Sequence, residues 1–87
     1  MESIDTLIER TGAPSSSPHE FLDARELPPP QPLQDTLERL EELDNGTVFV
    51  QLNDRAPQFL YPKLDDRGYA YETVEEDGGI VTIIWKA

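Results

Sequence analysis

Three consecutive prolines, Pro28, Pro29 and Pro30, followed by Gln31 and Pro32, constrain this chain more than any other stretch. Proline fixes φ near about −65° and has no backbone N–H, so it is excluded from helix interiors and from central strands. Residues 28–32 must therefore be a rigid connection, and their flanks say what they connect. Residues 20–24 (EFLDA) are short and apolar enough for a strand. After the prolines, Leu33, Leu37, Leu40 and Leu43 recur at intervals of four, three and three, one stripe of an amphipathic helix. Asp35, Glu38, Arg39, Glu41 and Glu42 fill its other faces. Pro32 suits the first helical position, where a missing N–H costs nothing. The unit reads as strand, proline elbow and helix. Such a helix mouth is where an α/β protein often holds its ligand, yet the elbow carries no nucleophile, acid, base or metal ligand.

The remaining elements follow in order. Asp44, Asn45 and Gly46 stop the helix, with Gly46 or Asn45 free to take positive φ. Residues 47–52 (TVFVQL) are β-branched, aromatic and almost continuously apolar, which predicts a central strand. Asn53 and Asp54 offer caps for a second helix with Pro57 in its first turn, and Phe59, Leu60 and Leu64 supply its apolar face. Pro62 is expected to kink or shorten that helix, and Gly68 to end it. Residues 69–75 and 80–86 are strand-like and joined by Glu76, Asp77, Gly78 and Gly79, a hairpin. The order is β-α-β-α-β-β. Right-handed crossovers put both helices on the same side. The expected fold is therefore α+β: a two-layer α/β sandwich with a four-stranded mixed sheet, both helices on one face and the other face open. Val48, Val50 and Leu52 alternate with Thr47, Phe49 and Gln51, and Val81, Ile83 and Trp85 with Ile80, Thr82 and Ile84. Either set leaves apolar residues on the open face, which predicts a monomer or a weak homodimer through that face, or a partner bound there; scattered exposure of mixed residues is the plainer alternative.

Residues 1–19 stand apart as an N-terminal arm, and residues 20–87 form the domain. Ile4, Leu7 and Ile8 sit at helical spacing, so residues 3–10 can form a short helix, marginal when isolated. Residues 11–18 (TGAPSSSP) are a linker by composition. The arm is expected to be mobile or ordered only against a partner.

With 87 residues the chain makes one small domain, and with no cysteine it has no disulfide, thiolate metal site or thiol chemistry. Eighteen acidic residues against seven basic ones give a net charge of −11. Such a surface repels phosphate backbones and anionic bilayers, so neither nucleic acid nor a membrane is an expected partner. Only Lys63 and Lys86 are lysines, and the acids are spread along the chain. The pattern reads as halophilic, an acidic surface kept hydrated where salt screens its repulsion; an acidic docking surface is the alternative. The first residues carry Glu2, Asp5 and Glu9 and no apolar run, so the expected location is cytoplasmic.

Two groups of residues are candidate binding sites. At the elbow, Pro29, Pro30 and Pro32 form either a plain connector or a short polyproline-like ridge for a partner, with Arg25 and Gln31 as the polar side chains beside it. At the end of the central strand lie Asn53, Asp54 and Arg55, with Gln58 further on, where α/β sheets tend to bind ligands. The plainer reading of that group is a helix cap with a surface ion pair. His19 with Glu20 and Asp23 reads as a linker edge rather than a metal site, and Glu75, Glu76 and Asp77 as a solvated turn. Tyr61, Tyr69, Tyr71 and Trp85 read first as core and sheet residues. No catalytic residue, metal or cofactor is expected.

The segment LDARELPPPQPL (residues 22–33) resembles the signature of the TusA/SirA family of small sulfur carriers, as does LNDRAPQFLYPKLDDRGYAYE (residues 52–72) their second helix region. It is more similar still to a TusA-related family of unknown function that lacks the motif cysteine. The resemblance covers about residues 20–87 and implies the β-α-β-α-β-β fold. It also implies a Cys-Pro-x-Pro motif at the first helix, where this chain has Pro29, Pro30, Gln31 and Pro32. The persulfide-bearing cysteine is replaced by Pro29, so a persulfide relay through this chain's own residues is excluded. What the resemblance then leaves is a non-catalytic binding or adaptor domain, a protein-interaction module linked to sulfur or redox metabolism. The alternatives are a small-ligand or anion-sensing regulatory domain, and an accessory subunit that completes a partner enzyme's site.

Overall fold

The computed structural model describes residues 3–14 and 16–86. Residues 1, 2, 15 and 87, which the expected arm, linker and domain include, lie outside the described residues. The elements are α1 (Ile4–Glu9), β1 (His19–Asp23), α2 (Gln31–Glu42), β2 (Val48–Asn53), α3 (Leu60–Asp66), β3 (Tyr69–Glu76) and β4 (Gly79–Lys86). The strands form one mixed sheet in the order β1-β2-β4-β3. β1 runs parallel to β2, and β4 is antiparallel to both β2 and β3. The parallel pair requires a crossover, and α2 supplies it. No helix among the described residues is long and apolar enough to cross a membrane.

The α+β fold and its shared helical face are as the sequence predicts. Leu40 of α2 and Leu60 and Leu64 of α3 pack with Phe49 and Ile84 on one face of the sheet. β2 is buried at every position, as a near-continuous apolar run demands. This face also carries a polar row. Gln51 Nε2 donates to Thr36 Oγ1 of α2 at 2.8 Å, and both residues are fully buried. Gln51 pairs with Thr82, and Thr82 with Thr73, across neighbouring strands. The hydroxyls of Thr82 and Thr73 lie 3.3 Å apart, and Tyr61 Oη meets Thr73 Oγ1 at 2.6 Å. The row satisfies most of its polar atoms internally, but Gln51 Oε1 has no partner among the described residues.

The opposite face is not open. Leu7, Ile8 and Ala13 of the arm are buried against Val48, Val50, Leu52, Val81 and Ile83. Ser3 caps α1, its Oγ accepting from Thr6 N–H at 3.3 Å. Beyond α1, Gly12 N–H donates to Glu72 Oε1 at 3.2 Å, and Arg10 pairs with Glu76 at 3.3 Å. The reason is hydrophobic: these aliphatic side chains make too large a patch to leave wet, and burying each contributes roughly 1.5–3 kcal/mol. While α1 is docked, the homodimer expected through an open face has no such face to use.

Local geometry departs from the sequence reading in three places. Pro32 is the second residue of α2 rather than its first. α2 ends because Leu43 turns extended (ψ 138°), and positive φ is found at Gly68 and Gly79 but not at Asn45 or Gly46. α3 begins at Leu60 rather than near Asp54, so Asn53 and Asp54 do not cap it. That shift also explains Pro62. It falls in the first turn, where its missing N–H would have no partner anyway, so it neither kinks nor breaks the helix. Gly79 (φ 147°) is required, since a Cβ there would stand within hard-sphere contact of the Asn53 carbonyl oxygen.

Candidate functional site

The elbow and the segment between β2 and α3 both leave the C-terminal ends of the parallel strands β1 and β2. Between them lies a cleft of about 590 Å³. Pro29, Pro30, Pro32, Asn53, Asp54, Arg55 and Gln58 all line it, so the two groups singled out in the sequence form one site. Arg25 and Gln31 do not line it. Arg25 is bound elsewhere: its guanidinium forks onto Asp23 (2.9 and 2.7 Å) and reaches the Gly78 carbonyl at 3.3 Å. The hydrogen bond from Arg25 holds the Asp23 carboxyl below the usual carboxylate range. Arg25 thus ties the end of β1 to the β3–β4 turn, a structural duty.

The elbow is a turn and not a polyproline ridge. Gln31 N–H donates to the Pro28 carbonyl at 2.9 Å, and Pro30 has φ −94° and ψ 21°, far from the extended values of a polyproline helix. This has a chemical consequence at the mouth of α2. A helix N-terminus attracts anions through its free N–H groups. Here Pro30 and Pro32 have none and that of Gln31 is used, which leaves the Leu33 N–H for a ligand.

The opposite wall holds Ala56, Pro57, Phe59 and Leu60. Phe59, expected on the apolar face of a helix, instead stands just before α3 with 82 % of its surface exposed. The signal was available in the bracketing Pro57 and Pro62, which push the helix start downstream. Leu27 and Leu33 complete the apolar lining.

At the floor, Asn53 is only 7 % exposed. Its Oδ1 accepts from Asp54 N–H at 2.8 Å, which fixes the amide. Asp54 Oδ1 in turn accepts from Arg55 Nε at 3.3 Å, so the cleft's one acid and one guanidinium neutralise each other. The lining holds no serine, threonine, tyrosine, histidine or lysine, and the chain no cysteine. The lining's one carboxylate is that of Asp54.

His19 and the tyrosines lie outside the cleft. His19 stands 3.7 Å from Asp5 of α1. No group of three or more His, Cys, Asp or Glu side chains placed to hold a metal ion is found among the described residues. Tyr61 and Tyr71 stack at 4.9 Å, and Tyr69 Oη donates to the Leu40 carbonyl at 3.1 Å, so the tyrosines serve the α2/α3 face.

A model of the family described as "Uncharacterized conserved protein (DUF2249)" matches residues 21–86. The chain belongs to that family. The match contains all of the cleft and both of its walls and leaves α1 outside. No curated protein and no solved structure matches the chain.

Proposed function

We propose that this member of the DUF2249 family is a non-catalytic binding domain that holds a protein partner in the cleft between the elbow and the β2–α3 segment. The observation that carries the reading is the junction of a rigid proline wall with an almost fully exposed phenylalanine over a buried, oriented amide. Exposed aromatic anchors beside pre-formed apolar walls are what protein interfaces use as hot spots. The pairing of the lining's one carboxylate, Asp54, with Arg55 supports binding over catalysis. The likeness of residues 22–33 and 52–72 to the TusA/SirA sulfur carriers supports a partner in sulfur or redox metabolism, met in the cytoplasm of a salt-adapted cell.

The cleft volume favours one second reading. It falls within the roughly 300–1,000 Å³ of small-molecule sites, so a small regulatory ligand fits the same walls.

Co-purification from the native cell tests the proposal. Wild type and Glu75→Gln, altered at an exposed position of β3, are expected to retain the same protein, and Phe59→Asp to lose it. Because Phe59 is exposed, its replacement leaves the core intact. Equal retention by all three overturns the assignment of the cleft as the docking surface.

A further inference from the structure

The cleft's hydrogen-bonding chemistry is one-sided. The Asn53 amide has its oxygen committed to Asp54 N–H, while its Nδ2 finds no protein acceptor among the described residues. An asparagine amide carries two N–H donors there, and Asn53, 7 % exposed, lines the cleft. A ligand that brings an acceptor can take these donors in place of solvent, so this floor favours one that does. The acceptor need not be charged, and the site selects against charge. Arg55 is paired with Asp54, the α2 mouth has lost its N–H groups at Pro30 and Pro32, and the chain as a whole carries −11. An anion would meet a net-neutral, apolar cleft inside a repelling field.

We infer that the cleft takes an uncharged, extended segment of a partner chain, with a backbone carbonyl on Asn53 Nδ2 and an apolar side chain between Pro30 and Phe59. Peptide carbonyls are neutral acceptors, and each is flanked by a side chain able to enter an apolar slot. Acidic segments are excluded by the net charge, and phosphorylated ones by the lack of an unpaired cation in the lining. This rests on the docking role proposed above and specifies what that surface recognises.

Titration of the ¹⁵N-labelled full chain, followed by NMR, tests it with four probes. These are N-acetyl-leucinamide, its charged counterpart N-acetyl-leucine, the blocked tripeptide acetyl-Ala-Leu-Ala-amide, and inorganic phosphate. The amide is expected to shift the Asn53 side-chain N–H pair and the backbone of Phe59. The tripeptide is expected to do so at concentrations several-fold lower, the carboxylate more weakly than either, and phosphate not at all. Asn53→Asp keeps the acceptor for Asp54 N–H and removes both donors, so affinity for the amide should fall about tenfold, the worth of one hydrogen bond. Phe59→Ala, at an exposed position, should weaken it without disturbing the rest of the spectrum.

Stronger shifts with phosphate or the carboxylate would overturn the inference, as would an unchanged affinity in Asn53→Asp. Equal affinities for the amide and the tripeptide would overturn the extended segment in favour of a small uncharged ligand. If no probe shifts the cleft while partner retention still depends on Phe59, the inference falls and the docking role stands. If retention is independent of Phe59, the docking role falls as well.

Discussion

On one side of the sheet, α2 and α3 cover Phe49, Gln51, Thr82 and Ile84; on the other, six-residue α1 covers Val48, Val50, Leu52, Val81 and Ile83. The first face is closed by twelve- and seven-residue helices that arise within the strand crossovers, so chain connectivity holds them in place. It mixes apolar packing with a buried polar row. The second face is wholly aliphatic at its centre, and its cover reaches it through a linker. That cover is held by three buried apolar residues, an ion pair and a hydrogen bond from the Gly12 N–H to the Glu72 carboxylate at the exposed margin. A helix of this length is not stable alone, so α1 exists because the sheet is there. The comparison separates a core that defines the domain from a cover that follows from it.

The largest expected effect tests that asymmetry. Phe49→Ala on the α2/α3 face should cost about 3–5 kcal/mol in urea unfolding, as buried aromatic truncations do. Leu7→Ala, although equally buried, should cost less than the roughly 2 kcal/mol at which core Leu→Ala losses begin. The arm can detach locally, and its own docking energy caps the loss. A Leu7→Ala loss as large as that of Leu40→Ala would show that the arm folds as one unit with the core. Amide hydrogen exchange gives the same contrast without mutation, with α1 exchanging well before β2.

A middle-sized effect concerns the polar row, which the arm side lacks. Thr36→Val strands the Gln51 amide, whose Oε1 already has no partner among the described residues, and should cost about 1–3 kcal/mol. Adding Gln51→Leu should return most of that loss, since replacing both partners by apolar groups of similar shape is near neutral. Failure of the second substitution to restore stability would show that Gln51 is held by more than Thr36.

The smallest effect lies at the surface, where Arg25 binds Asp23. Folding lowers the Asp23 pKa, chiefly through the hydrogen bond from Arg25. The ionised form is therefore favoured in the folded state. Its contribution is complete above the unfolded value of about 3.9 and is lost as pH falls through the lower folded value. Asp23→Asn should remove that part of the acid dependence and leave stability at neutral pH only slightly reduced, because exposed pairs contribute little. An unchanged acid profile would assign the dependence to other carboxylates.

Much of the sheet was legible from pattern alone. The period of Leu33, Leu37 and Leu40 gives α2, the apolar run of residues 47–52 gives β2, and Glu76 to Gly79 gives the hairpin, each within about one residue of the strand or helix seen. The start of α3 was not legible, because Asn53 and Asp54 are good caps wherever they occur. Only the packing of Leu60 and Leu64 on the sheet shows that the helix waits until after Phe59. The candidate residues were legible as two groups and not as one cleft. Residues 29–32 and 53–58 are far apart in sequence, and nothing local says that β1 and β2 are parallel neighbours whose ends bring them together.

The sequence by itself therefore determined the order of elements, the rigidity of the elbow and the absence of thiol chemistry, because each depends on residue type or on spacing along the chain. Only the tertiary structure decided that α1 covers the second face, that Arg25 serves the hairpin rather than the site, and that Phe59 stands free beside a buried Asn53. Those facts depend on which surfaces meet. Burial of one aliphatic patch against another is non-directional, and no local pattern records its partner.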